Sequence, residues 1–225
     1  MKRSLDIYNF GPNCKKVKKE PEPTTEIMNV EDVEGILNDM SDSVTIRNNH
    51  IYFYGSVNKR NCLKLNLFIR DINRKLTITE NDFEVSNLKI YLHINSFGGS
   101  VFAALSSVDT IIGSKYPIVS IMEGGSASAA TIMSCVCHER VIRPNAYMLI
   151  HQISSGFWGK MEEIKDEFKN TKKLMKRLKK IYKENTKLDN TEDSDIKLND
   201  LLKRDLWLDA DECLKYGLVD KIEII

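Results

Sequence analysis

Twice in this chain a β-branched or aromatic run ends near a pair of glycines and passes into an apolar helical stretch. The first run is LKIYLHI (88–94), followed by Asn95-Ser96-Phe97-Gly98-Gly99 and a helical pattern with Val101, Leu105, Val108 and Ile112 on one face. The second is PIVSIM (117–122), followed by Gly124-Gly125 and an apolar helix from Ser128. Strand–helix units in series predict an α/β fold with a largely parallel sheet covered by helices.

The neighbouring segments extend the pattern. HIYFYGSV (50–57) reads as a strand, and residues 58–75 place Cys62, Leu65, Ile69 and Ile72 at helical spacing. ERVIR and AYMLIH are short strands around Pro144-Asn145. From Gly159 to about Leu188 one long helix carries Met161, Ile164, Phe168, Leu174, Leu178 and Ile181 as its apolar stripe. A helix of that length suggests an arm packed partly on another chain. Residues 188–195 read as a polar loop. A Leu-rich amphipathic helix follows, with Leu198, Leu201 and Leu202 turned inward, and LWL (206–208) is a strand. Asp209 caps the last helix with Glu212 completing the box, Gly217 stops it, and LVDKIEII closes with a strand.

Composition excludes several classes of partner. The chain has 33 basic and 32 acidic residues, a net charge of +1, so no field for nucleic acid or an anionic membrane is expected. No uninterrupted apolar stretch approaches the ~18 residues of a membrane span. Five cysteines are an odd number without regular spacing, and Cys135 and Cys137 sit in an apolar run. They read as buried thiols, not metal ligands, and a reducing, intracellular (cytoplasmic) setting is expected. The first residues lack an apolar signal region, so secretion is not expected. Residues 1–30, with a basic cluster followed by Glu and Pro, read as a flexible tail. Residues 31–225 form the folded domain.

Sites in open α/β sheets lie beyond the carboxyl ends of strands. Gly98-Gly99, Gly124-Gly125 leading to Ser128, and His151 fall there. Glycine turns let backbone N–H groups approach a developing oxyanion. A serine nucleophile needs a base, commonly histidine. Ser128 is open to two readings, a helix N-cap or a nucleophile at the start of a helix. His50 and His138 border loops and strands without a partner signal, and His93 lies within a strand. Only His151 falls at a strand's carboxyl end. Neither a G-x-S-x-G elbow nor a phosphate-binding G-x-x-x-x-G-K-[ST] pattern occurs.

Together these residues resemble the Clp family of serine peptidases, whose proteolytic subunit works with AAA+ unfoldases. INSFGGSV is similar to the family's INSPGG oxyanion turn, GGSASAAT to its nucleophile segment, PNAYMLIHQ to its base segment, and RDLWLDADECLKYGLVD to its C-terminal signature. The resemblance covers about residues 45–225. It implies a Clp/crotonase-like fold with a long protruding handle helix over 159–188. It also implies a triad of Ser128, His151 and Asp205, with the N–H groups of Gly99 and Ala129 as oxyanion donors. Ser126 falls on a family alanine. SSGFWG (154–159) would pair with the substrate strand. Partners implied are further copies in stacked rings, an AAA+ unfoldase and unfolded polypeptides. No cofactor is implied in this chain, since ATP is used by the unfoldase.

Four departures stand out: Phe97 for the family proline, Ala129-Ala130 for Met-Gly, a longer loop before Asp205, and the basic tail. The Ser-Ala-Ala segment also resembles viral Clp-like proteases, which leaves open capsid (prohead) maturation without ATP. A crotonase-like acyl-CoA enzyme has no need of all three triad residues, and an inactive ring subunit usually lacks one of them.

Overall fold

A computed structural model describes residues 43–189 and 194–224. The expected tail over 1–30, the start of the domain at 31, Cys14 and part of the 188–195 loop lie outside the described residues.

The order is β1 (Val44–Arg47), β2 (His50–Phe53), α1 (Lys59–Phe83), β3 (Ile90–Ser96), α2 (Val101–Ile112), β4 (Ile118–Ala127) and α3 (Ala129–Cys135). There follow β5 (Glu139–Ile142), β6 (Tyr147–Leu149), α4 (Met161–Asn185), α5 (Ser194–Leu202), α6 (Ala210–Tyr216) and β7 (Lys221–Ile222). Among the described residues the strands form one sheet in the order β1-β2-β3-β4-β5-β7, with β6 paired to β4. Every pairing is parallel except the β1–β2 hairpin.

The strand–helix alternation forces the parallel sheet, because a parallel return needs a crossover and a helix supplies it. Helix α1 buries Cys62, Leu65, Ile69 and Ile72, the predicted stripe. Burying an aliphatic side chain of this size contributes about 1.5–3 kcal/mol. Helix α2 departs from expectation. It buries Ala103, Ala104, Ser107, Val108 and Ile111, while Ile112 is exposed. The predicted face followed the large side chains. The observed face uses small ones, which let α2 pack between α1 and α3. The LWL segment forms no strand, only a bridge from Leu208 to Met148.

The two faces of the sheet differ. Ile51, Phe53, Leu92, Ile94, Ile118 and Met122 face the main core, which also takes in the buried residues of α1, α2 and α3. On the opposite face Val119, Ile121 and Val141 form a small separate cluster with Tyr91. Helix α4 is divided along its length. Leu178, Ile181 and Tyr182 are buried, whereas Met161, Ile164 and Phe168 are exposed. Its anchored end is held by Arg140, which donates to the Asn185 and Gly217 carbonyls and forks onto Asp220.

Candidate active site

Strand β4 builds the centre of the site. The glycine pair expected to end this strand lies inside it: β4 runs on through Gly125 to Ala127. Its first half pairs with β5 and its last three residues pair with β6. The register with β3 shifts between Ile94 and Ser96, and Gly124 takes φ +63°. This bulge re-aims the end of the strand, as bulges beside sites do.

Two serines follow the bulge. Ser126 is fully buried and its hydroxyl donates to the Ile94 carbonyl at 3.0 Å. Ser128 follows the last strand residue with φ 56° and ψ −124°. That region is all but closed to residues with a Cβ, and holding a residue in such a sparse region costs of order 1–3 kcal/mol. Its side chain makes no capping bond, so the N-cap reading fails on geometry. The strain is held by backbone contacts. The Ser128 N–H donates to Leu149 O at 2.8 Å. Its carbonyl accepts from the Thr131 N–H at 3.0 Å and the Thr131 hydroxyl at 2.7 Å. With its proton so used, Thr131 Oγ1 accepts from the buried Tyr182 hydroxyl at 2.7 Å. Burial pushes the Tyr182 phenol further up from its ordinary value. No sequence signal announced this Tyr182–Thr131–Ser128 chain, because Tyr182 lies on α4 and the other two at the start of α3.

The Gly98-Gly99 turn lies against Ser128. Gly98 has φ +89° and Gly99 φ +145°, both glycine conformations. A Cβ on Gly98 would stand 2.7 Å from Ser128 Cβ, and one on Gly99 would stand 2.4 Å from the Val57 carbonyl. The same hypothetical atom on Gly98 lies 3.0 Å from the Ala129 nitrogen, so the Gly98-Gly99 turn and the first N–H of α3 are neighbours.

His151 lies two residues beyond β6, next to the end of β4 because Ala127 pairs with Leu149. Its Nδ1 lies 2.9 Å from Asp205 Oδ1. Gln152 N–H donates to Leu202 O at 2.7 Å, and Met148 and Leu208 exchange bonds of 2.9 and 2.7 Å, so the segment bearing Asp205 is fastened on both sides. Asp205 is largely exposed, and its bond to His151 is what sets it apart from the competing carboxylates. Asp200 meets Lys203, Asp209 caps α6 and Asp211 is exposed. His151 makes no hydrogen bond to the Ser128 hydroxyl in this structure. Catalytic hydrogen bonds are often long before substrate binds.

Other nucleophiles are quiet. Burial pushes the Cys135 and Cys137 thiols up to about 12. The other histidines are also occupied. His50 Nδ1 meets His93 Nε2 at 2.9 Å, a partner its loop-border position did not suggest, and His93 Nδ1 meets Glu123 Oε1 at 3.1 Å. His138 Nδ1 accepts from the Ile118 N–H. Among the described residues no group of three or more His, Cys, Asp or Glu is placed to hold a metal.

The site's geometry is thus a strained serine at the end of β4, a glycine turn against it, and His151, just beyond β6, paired with Asp205. The Clp protease family model matches residues 44–224. The chain belongs to the Clp protease family. It is a Clp-type serine peptidase, with that family's α/β fold. It is 38% identical over 143 residues to the ATP-dependent Clp protease proteolytic subunit of Streptococcus mutans, covering 63% of this chain and 71% of that one. The protein of that name from Lactococcus lactis is 36% identical over 143 residues, covering 63% and 70%. The ATP-dependent Clp protease proteolytic subunit 3 of Streptomyces avermitilis is 37% identical over 138 residues, covering 59% of each chain. Among the described residues no helix of this Clp protease is long and apolar enough to cross a membrane.

Proposed function

We propose that this chain is an endopeptidase that cuts unfolded polypeptides through an acyl-enzyme on Ser128. Ser128 Oγ attacks the peptide carbonyl. His151 takes the proton on Nε2 and returns it to the leaving amine, while Asp205 at Nδ1 fixes the tautomer and stabilises the charged ring. The N–H groups of Gly99 and Ala129 receive the developing oxyanion. Water then attacks the ester, with His151 again as base, and frees Ser128.

The observation that carries this reading is the contrast between the two serines of one strand end. Ser126 is buried with its hydroxyl engaged. Ser128 is half-buried, strained and uncapped, beside a glycine turn.

The reading extends to assembly. Trp158 and the Met161, Ile164 and Phe168 end of the α4 arm are exposed, apolar surface that a second copy would cover. Such copies would form stacked rings enclosing the serines, fed by an ATP-dependent AAA+ unfoldase in the cytoplasm. Residues 154–159, without regular structure here, would pair with the substrate strand.

The test is hydrolysis of an unstructured fluorogenic peptide, with native mass spectrometry of the same sample. Cleavage by an oligomer of wild type and S126A, and none by S128A, is expected. Activity retained in S128A, or carried by a monomer, would overturn the corresponding part of the reading.

A further inference from the structure

The Gly98-Gly99 turn is soft by composition, since both residues hold conformations that only glycine adopts freely. Its hydrogen bonds hold it locally or from one side. Val57 N–H donates to Gly98 O at 2.8 Å, Ser100 N–H donates to Val57 O at 2.7 Å, and Gly98 N–H donates to Ser96 Oγ at 3.2 Å. None of these reaches the segment carrying Asp205. That segment is exposed over 203–206, and its backbone is fastened to the β6 strand and the residues after it only at Leu202 and Leu208.

A ring contact spans the gap. Phe97, immediately before the glycines, meets Trp207, two residues after Asp205. The ring centroids are 5.9 Å apart and the planes stand at 85°, the edge-to-face arrangement aromatic pairs favour. The two rings sit over Gly125, three residues before Ser128. A Cβ there would come within 3.2 Å of Phe97 Cε1 and 3.5 Å of Trp207 Cη2. The pair therefore touches the glycine turn, the strand leading to Ser128 and the segment bearing Asp205.

We propose that Phe97 and Trp207 are positioning residues: their edge-to-face contact locks the Gly98-Gly99 turn to the Asp205 segment and so sets the oxyanion donors relative to the His151–Asp205 pair. The proposal rests on the serine-peptidase reading above. Phe97 is 73% exposed, so shortening it removes little core packing. Its loss separates positioning from folding.

The experiment measures kcat and KM on an unstructured peptide for full-length wild type, F97A, W207A, the double variant, F97Y and W207F. Emission of Trp207 is read in a W158F background, where it is the only tryptophan. F97A and W207A should each lower kcat by about 10- to 100-fold with KM little changed, since misplacement of about 1 Å costs on that scale. The double variant should be no worse than the poorer single, as expected of two groups acting as a unit. F97Y and W207F should stay close to wild type, and F97A should red-shift Trp207 emission. If W207A does not fold, F97A and the emission reading still decide. An active wild type with F97A at wild-type kcat, with additive losses, or with unshifted emission, overturns the positioning role alone. A wild type without peptidase activity overturns the serine-peptidase reading, and the positioning role with it.

Discussion

Among the described residues two histidine–carboxylate pairs of nearly equal length stand in very different settings. His93 and Glu123 meet at 3.1 Å within the sheet, and His151 and Asp205 meet at 2.9 Å beyond its edge. Both nitrogens of His93 are engaged, one by Glu123 and one by His50. Tyr52 stacks on its ring with centroids 4.4 Å apart. Glu123 also accepts from Tyr54 and Arg143. That pair sits in a network that leaves His93 no ring nitrogen for a substrate. His151 has one nitrogen on Asp205, and the strained Ser128 ends the neighbouring strand. A histidine–carboxylate distance alone therefore does not mark a catalytic pair. The pair proposed as catalytic differs in its unengaged second nitrogen at a strand's carboxyl end, with Ser128 alongside.

The largest expected effect tests the nucleophile. S128A should lower peptide hydrolysis by about 10⁴-fold or more, as removal of a triad member does, with the fold retained in circular dichroism. S126A should keep activity.

The next sets the two carboxylates against each other. D205N should cut kcat by about 10⁴-fold by leaving His151 in the wrong tautomer. E123Q should leave kcat within a few-fold but lower stability by about 1–3 kcal/mol, the cost of weakening a partly buried hydrogen-bond network. If the kinetic loss follows Glu123 instead, the two pairs have been assigned in reverse.

Acid should act on the sheet network in two stages. Burial, with His93 adding to it, holds His50 below its ordinary value of 6.5. The folded state then favours neutral His50, and its contribution to stability is full above 6.5 and declines as pH falls toward the folded value. Burial would raise the Glu123 carboxyl, but bonds from Tyr54, His93 and Arg143 outweigh it and hold the group below its ordinary 4.5. Its contribution is full above 4.5 and is lost as pH falls through the lower folded value. Thermal melts of wild type should weaken first below about pH 6.5. The difference between wild type and E123Q should shrink only below about pH 4.5. A difference that vanishes by pH 6 would remove Glu123 from the network.

The smallest effect concerns a carboxylate near Asp205 that only caps a helix. D209A should cost about 1 kcal/mol in a denaturant melt and D209N a few tenths at most, with kcat unchanged in both.

What was legible in the sequence was local. The stripe of α1, the Asp209–Glu212 box and the Gly217 stop at φ +68° depend on residues a few positions apart. The alternation of strands and helices fixed the parallel sheet for the same reason. Ser128, His151 and Asp205 stand as candidates because strand ends and family motifs narrow the field. Contacts set by long-range register were invisible. His50 meets His93 because β2 lies beside β3, and Thr131 meets Tyr182 because α3 packs on α4. The buried face of α2 was misread because close helix packing selects small residues, which a count of large apolar ones passes over. Gly124-Gly125 read as a turn because sequence does not distinguish a turn from a bulge that continues a strand.

The most direct measurement of the central claim is covalent labelling with a fluorophosphonate, mapped by peptide mass spectrometry on wild type, S126A, D205N and E123Q. One adduct is expected, on Ser128, formed at wild-type rate in S126A, near that rate in E123Q and far more slowly in D205N. An adduct on Ser126, no adduct in the wild type, or labelling that slows in E123Q and not in D205N would contradict it.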